Sequence, residues 1–375
     1  MSTYLDLHII QTLPPSNVNR DDTGSPKSAV YGGVRRARVS SQAWKRATRA
    51  HFRRELDPSG LGYRTKQAAA LIGERLGRLD PDLSEEDRAT RAGAVLNALG
   101  MKLEPKRRKN QSEEDTTPYE STSYLAFFSS DQLDQLAELA LSTDKPSRKE
   151  ARERADRDHG ISLSLFGRMV ADDASLNVDA SVQVAHALST HAVDTEADYY
   201  TAVDDLSHES EESGAGMIGT IEFNSSTLYR YATVNVDALV KNMGQTAAAA
   251  RAAATFVRSF ATSMPTGKQN TFANGTVPDA VVLMVREDQP INLVGAFEVP
   301  VRADGMGYIQ ASCEALAAYA QDVGEAYGNA PTKTMVLRVG ERTQALAGLG
   351  EAASLEQMGA HVEAMIAASA VADAP

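Results

Sequence analysis

"VRRARVSSQAWKRATRAHFRREL" (34–56) reads as a short strand that passes through two serines into an amphipathic helix. The strand "VRRARV" places Arg36 and Arg38 on one face. Ser40 and Ser41 are natural N-caps, and no Gly or Pro interrupts Gln42 to Leu56. Trp44, Ala47 and Ala50 or His51 recur at helical spacing as an apolar stripe. Lys45, Arg49 and Arg53 stand at i, i+4 and i+8 on another face, with no acidic partner among them. The stretch holds eight basic side chains (Arg35, Arg36, Arg38, Lys45, Arg46, Arg49, Arg53, Arg54) and one acidic one, Glu55. Its local charge is therefore +7 in a chain whose total is −12, which leaves −19 for the remainder. An acidic protein that gathers its positive charge in one place calls for an anionic partner there.

The rest of the composition narrows the class. With 375 residues, 42% hydrophobic and 23% charged, the chain is long enough for one large domain or two ordinary ones. Its most apolar-looking stretch, Ala247 to Ser263, is alanine-rich and broken by Arg251 and Arg258, so no membrane span is expected. "MSTYLDLHII" lacks the features of a signal peptide, and a cytoplasmic location is expected. A lone cysteine, Cys313, excludes an internal disulfide and a Cys-rich zinc site. A net acidic balance argues against indiscriminate nucleic-acid binding. It does not argue against a confined basic groove, because salt screens distant charges within about 8 Å.

Outward from the basic helix, "YLDLHIIQTL" (4–13) alternates as a strand with Leu5, Leu7 and Ile9 on one face. "PPSNVNRDDTGSPKSAVYGG" (14–33) reads as a long loop, and loops of that length in compact proteins are usually functional. Residues 66–100 read as helices, 106–123 as a polar mixed-charge segment, "YLAFF" as a strand and "SSDQLDQLAELALS" as a capped helix. Strand patterns recur at 161–169 and 181–193. The acidic, Gly- and Ser-containing stretch 194–226 precedes another strand, "TLYRYATVNV" (227–236), which suggests a hairpin with an extended insertion. Helices are expected at 247–263, 308–327 and 354–369, and strands at "DAVVLMV" (279–285) and "TMVLRV". This mixture favours α+β over a doubly wound parallel sheet, in one elaborated domain over 1–375.

Much enzyme chemistry is missing. The seven histidines are scattered, and there is no H-E-x-x-H, no P-loop and no G-x-G-x-x-G between strand and helix. His186 and His191 lie five apart on a strand pattern, on opposite faces, which disfavours a shared metal. Cys313 sits in an Ala-rich helix as a small core residue. Asp21–Asp22 and Asp204–Asp205 are adjacent carboxylates able in principle to hold Mg²⁺. An Asx turn for the first pair and a solvated acidic surface for the second are the favoured readings. At the start of the basic helix the signals converge. A helix N-terminus presents unpaired N–H groups, Ser40, Ser41 and Gln42 add side-chain donors, and Lys45 and Arg49 follow one and two turns on.

The ordered run "NRDD…K…GG…RR.R.SSQ..KRA.R" within 14–49 resembles the N-terminal signature of the CasC family, the backbone subunit of the type I-E CRISPR surveillance complex Cascade. "LSLFGRM", "AHALSTHAVDTEADYYTAVDDL" and "GTIEFNSSTLYRYA" resemble the same family in the same order, and "LVGAFEVPV" (293–301) adds weaker support. The resemblance implies a modified ferredoxin-like, RRM-related palm with a helical finger region, about 57–160, and a long thumb hairpin, 194–226. It implies a member of the RAMP superfamily that binds crRNA, stacks with copies of itself and with other Cascade subunits, and presents the guide for pairing with target DNA in antiviral defence. No enzyme activity, cofactor or resident metal is implied.

Carried over by position, Lys27, Ser40, Gln42, Lys45 and Arg49 resemble phosphate contacts, with Arg20, Ser41 and Arg46 beside them. Met169, Tyr200, Thr201 and Val203 resemble the group that wedges the RNA at each kink, and ordinary core packing is the plainer reading of Met169 and Tyr200. Two alternatives stand beside this one. The first is a metal-dependent ribonuclease acting through a loop aspartate, Asp21 or Asp22. The second is a protein-only scaffold whose basic helix grips an acidic partner.

Overall fold

The computed structural model describes residues 2–56, 62–104, 117–155, 160–168, 177–202 and 217–372. Along the chain the first elements are β1 (Tyr4–Ser16), β2 (Ser28–Tyr31), β3 (Val34–Val39), α1 (Ser41–Glu55), β4 (Tyr63–Thr65), α2 (Ala68–Leu79) and α3 (Glu85–Ala98). There follow β5 (Leu103–Glu104), β6 (Ser121–Thr122), β7 (Ala126–Phe128), α4 (Ser130–Ser142), α5 (Arg148–Ala155) and α6 (Ile161–Phe166). Next come β8 (Val182–Val184), β9 (Ala187–Ser189), β10 (Glu196–Ala202), β11 (Met217–Asn235), α7 (Val236–Met243), α8 (Thr246–Thr262) and α9 (Gln269–Phe272). The last are β12 (Ala280–Arg286), α10 (Ile309–Tyr327), β13 (Lys333–Arg338), β14 (Glu351–Ala352) and α11 (Leu355–Ala372). The chain forms two compact units.

The first unit comprises Met1–His51, Gln183–Val236 and Ala253–Met365. It is built on a sheet ordered β14-β13-β12-β1-β11-β9-β3-β2, with β8 and β10 also paired to β11. Its named pairings are antiparallel except β13 with β14. β1 lies between β11 and β12, so both its edges are hydrogen-bonded within the sheet. Leu5, Leu7 and Ile9 are fully buried, as expected, but so are Asp6 and His8 between them.

His8 Nδ1 lies 2.9 Å from the Tyr229 hydroxyl, while its Nε2 has no partner among the described residues; Asp6 is fully engaged. The Asp6 carboxylate meets the Arg286 guanidinium at 3.1 Å and accepts from the Tyr231 hydroxyl at 2.9 Å and the Ile291 N–H at 2.8 Å. The Ile10, Tyr229 and Tyr231 side of the sheet packs with Phe297 and with Cys313 and Leu316 of α10. Burial pushes the Cys313 thiol up to about 12, as befits a core residue. The opposite side carries Gln11 and Arg230 toward Trp44 of α1 and Phe260 of α8.

The second unit comprises Phe52–Val182, Asp237–Ala252 and Ile366–Pro375. Its core gathers Ile72 and Leu76 of α2, Val95 and Leu96 of α3, Leu133 and Leu136 of α4 and Ala151 of α5. Two small two-stranded pairs, β4–β7 and β5–β6, belong to it. The expected cap of α4 is a full capping box: Ser129 Oγ accepts the Gln132 N–H at 3.0 Å, and Gln132 Oε1 accepts the Ser129 N–H at 2.9 Å.

Four local expectations need correcting. Residues 161–166 form a helix and no strand. Gly160 starts it in an extended conformation, and Ser162, Leu163, Ser164 and Leu165 are all buried, so the apparent alternation marks no two-sided strand. The 14–33 loop is shorter than read, because β1 runs to Ser16 and Ser28–Tyr31 pairs with β3. Gly32 and Gly33, at φ +58° and +77°, close that hairpin as the two-residue turn with both central residues left-handed. The 181–193 pattern divides into two three-residue strands. On α1 the buried seam is Trp44, Thr48 and Phe52, while Ala50 is exposed; helical spacing allowed either stripe, and Trp44 recruits the larger side chain.

Candidate nucleic-acid interface

The loop after β1 is tied to the start of α1 by main-chain bonds. Arg20 bridges to Pro26, the Lys27 N–H donates to Asn19 O at 2.9 Å, and the Arg38 N–H donates to Lys27 O at 2.9 Å. Asn19 then caps the junction, its Oδ1 accepting the Ser40 N–H at 2.8 Å. Arg20, Lys27, Ser40 and Ser41 are thereby gathered around one helix end. Within the loop, Asp21 Oδ1 accepts from the N–H groups of Thr23 (2.9 Å) and Ser25 (3.0 Å) and from the Thr23 hydroxyl (2.7 Å). The Thr23 hydroxyl and these backbone donors hold the Asp21 carboxyl below its usual range. It forms an Asx turn.

The helix end itself is less open than its sequence suggests. The Ser40 N–H is taken by Asn19, and the Ser41 N–H donates to His186 Nδ1 at 3.0 Å. The Ser40 side chain is largely buried, its hydroxyl lying 3.4 Å from the Ala43 N–H. Gln42 and Arg46 are exposed, and Ser41, Lys45 and Arg49 partly so. Desolvation, and then the neighbouring Arg49 charge, lower the Lys45 pKa. Among the described residues no carboxylate pairs with Lys45.

The buried side of α1 fixes where that cationic face points. Trp44 packs edge-on against Phe260 at 6.5 Å between ring centroids, and the Arg230 guanidinium lies over its ring at 3.7 Å. Arg230 is itself buried, donating to Gln11 Oε1 at 2.5 Å, to the Phe260 carbonyl and to the Ala261 carbonyl at 3.4 Å. Arg36 is likewise interior. Its guanidinium donates to the carbonyls of Tyr31, Ser189, Phe297 and Glu298 at 2.7–3.2 Å, so it is a clamp on its own hairpin and no part of the exposed patch.

From the same unit β10 and the first part of β11 extend as a paired arm, with Tyr200 opposite Gly219 and Thr201 opposite Ile218. β11 continues without a break to Asn235, so the arm and the central sheet share one strand. Tyr199 and Tyr200 are 61% and 42% exposed, which makes Tyr200 no core residue. The Tyr200 ring lies across Gly219: a Cβ there would fall 2.4–2.8 Å from its ring and hydroxyl atoms. Asn17 ties the arm to the loop, its Nδ2 donating to Glu222 O at 2.8 Å and Gly24 O at 2.9 Å. Met169, Val203 and the Asp204–Asp205 pair lie outside the described residues.

Asn17, Asn19, His186 and Gly219 went unassigned in the sequence. The two asparagines stand inside the quoted "SNVNRDD" run, whereas His186 and Gly219 acquire their roles only through pairing distant in sequence. Among the described residues there is no group of three or more His, Cys, Asp or Glu able to hold a metal ion, and no helix long and apolar enough to cross a membrane.

A family profile described as CT1975-like protein matches residues 5–361. Among solved structures, a chain of a CRISPR RNA-guided surveillance complex in a pre-nicking state superposes with a TM-score of 0.82 at 36% identity, over 98% of this chain and 100% of that one. A chain of another CRISPR RNA-guided surveillance complex gives a TM-score of 0.73 at 32% identity, over 97% and 99%. No curated protein matches the chain significantly.

Proposed function

The chain belongs to the CT1975-like protein family, and from that premise we propose that it is the crRNA-binding backbone subunit of a type I-E Cascade surveillance complex. The observation that carries this is the full-length likeness to chains of RNA-guided surveillance complexes. The CasC resemblance in the sequence agrees with it. In this reading the first unit is the palm, the β10–β11 arm the thumb, and the helical second unit the finger region. Copies stack along the guide in the cytoplasm. Lys27, Lys45 and Arg49, with Arg20, Ser40, Ser41, Gln42 and Arg46, hold successive phosphates. Tyr200 and Thr201, with Met169 and Val203, displace a nucleotide at each kink. Backbone contact leaves base identity to pairing with target DNA, the division of labour known for RNA-guided effectors.

The ribonuclease alternative has less support, since among the described residues no group of three or more His, Cys, Asp or Glu could hold a metal ion, and Asp21 Oδ1 is engaged in its own turn. The test is Lys45→Ala with Arg49→Ala, measured by binding of single-stranded guide RNA across a salt series. Affinity should fall for any sequence, and the slope of log K against log salt should shrink by about 1.4, about 0.7 per lost phosphate contact on a single strand. An unchanged slope refutes the assignment. Protein that assembles and purifies free of nucleic acid favours the scaffold reading.

A further inference from the structure

His186 lies in the short step between β8 and β9, exposed to solvent. Its Nδ1 accepts the Ser41 N–H at 3.0 Å, and that bond fixes the tautomer. A ring nitrogen that accepts an N–H carries no proton of its own, so the proton of the neutral imidazole is on Nε2. Nε2 lies on the other side of the ring from Ser41, and among the described residues it has no hydrogen-bond partner. The charges that bear on the ring are both cationic, Arg38 from β3 and Lys27 from the loop. A neutral donor set between two cations and fastened to the first N–H of α1 suits an anion and repels a metal ion.

We propose that His186 donates its Nε2–H, as a neutral imidazole, to a backbone phosphate of the bound RNA, in the anion site formed with Lys27 and the start of α1. This rests on the RNA-binding reading above and adds to it a contact of a different kind. The lysines and arginines act as charges and release counterions; His186 acts through direction alone. Ser41 then serves the site through its main chain, by orienting the imidazole. Partial desolvation, then the Arg38 and Lys27 charges, lower the His186 pKa, which favours the neutral ring that the Ser41 bond requires.

The test compares His186→Asn, His186→Gln and Lys27→Ala in the full chain, binding a single-stranded RNA of guide length at pH 7.5 over a salt series. The Asn side chain keeps an acceptor where Nδ1 was, so the Ser41 N–H stays satisfied and the thermal midpoint should hold. It lacks the reach of Nε2, and binding should weaken on the order of tenfold, the loss of one hydrogen bond to a charged acceptor. The salt slope should stay at the wild-type value. Gln reaches the Nε2 position and should recover most of the affinity, while Lys27→Ala should lower the slope by about 0.7. Wild-type binding by His186→Asn would show that the imidazole only caps α1 and overturn the proposal, leaving the RNA reading intact. A lowered slope in His186→Asn would mean a cationic contact and overturn the neutral donor. Failure of the wild-type chain to bind RNA removes both.

Discussion

Arg230 is the residue whose loss should cost the first unit most. It is a fully buried cation with no carboxylate paired to it among the described residues, and its counter-charge is the C-terminal end of α8. Phe260 and Ala261 lie in the last turn of that helix, where carbonyls have no partner within the helix. Burial lowers the guanidinium pKa to about 9, so it is still charged at neutral pH. Arg230→Met leaves Gln11 Oε1 and the two carbonyls without donors, at about 1–3 kcal/mol per buried orphan. It also removes a cation–π contact over Trp44 worth about 2 kcal/mol when desolvated. Relief of the buried charge offsets part of this, several kcal/mol. The net expectation is a loss of about 3–5 kcal/mol, the usual result when one partner of a buried charged arrangement is removed. At about 2–4 °C per kcal/mol for a unit of this size, the midpoint should fall on the order of 10 °C. Trp44, the single tryptophan, reports the event by fluorescence during thermal or urea unfolding. Arg230→Lys, which keeps a charge but only one donor head, should fall between. A methionine variant as stable as the parent would mean that the cation is a cost the fold tolerates, and would refute the clamp.

Two further outcomes follow from the same unit. Burial, and then the Arg286 charge, lower the His8 pKa to about 3. The unfolded chain therefore takes up a proton below pH 6.5 that the folded chain refuses, so stability should fall with pH by about 1.4 kcal/mol per unit between about pH 6 and 3. Urea midpoints for His8→Gln across that range should show a shallower decline, and an equal slope in both proteins would exclude His8 as the cause. At Gly219, a valine side chain takes the space of the Tyr200 ring. In Gly219→Val, 2-aminopurine at the displaced guide position should lose its unstacked brightness while overall affinity changes less than about threefold, since no phosphate contact is lost; unchanged fluorescence would separate Tyr200 from the kink.

How far the sequence reached depended on the range of the determining contacts. The capping box at Ser129 and the cap of α1 at Ser40 are set within four residues, so both helix starts were readable. β12 was readable as a buried strand because all seven of its residues are buried, which the run of Val, Leu and Met announces. The 161–166 helix was not, because a six-residue apolar–polar run carries no period of its own once every face is covered. Arg36 was counted with the cationic patch because its burial depends on carbonyls 153 and 261 residues away. In the candidate site the cations were legible and their orientation was not: Asn19, His186 and Arg230 hold α1 in place through partners that no local spacing reveals.

On the RNA-binding reading proposed above, α1 does two things that pull against each other. Its Trp44 side must be immobilised for the helix to have a defined direction, and its Lys45 side must stay unneutralised to meet a polyanion. Arg230 resolves the first by bonding to Gln11 and backbone carbonyls and lying over the Trp44 ring, an arrangement that contains no carboxylate among the described residues. That choice matters for the second. A carboxylate buried under α1 to pair with Arg230 would also attract Lys45 and Arg49 and weaken their hold on phosphate. With helix carbonyls as the counter-charge, the attraction is short-ranged and confined to the interior. The cost appears on the exposed side, where Arg49 and partial burial both disfavour the Lys45 charge. On the proposed RNA-binding reading, an arriving phosphate would relieve the repulsion between Lys45 and Arg49, like charges held one turn apart on the free helix.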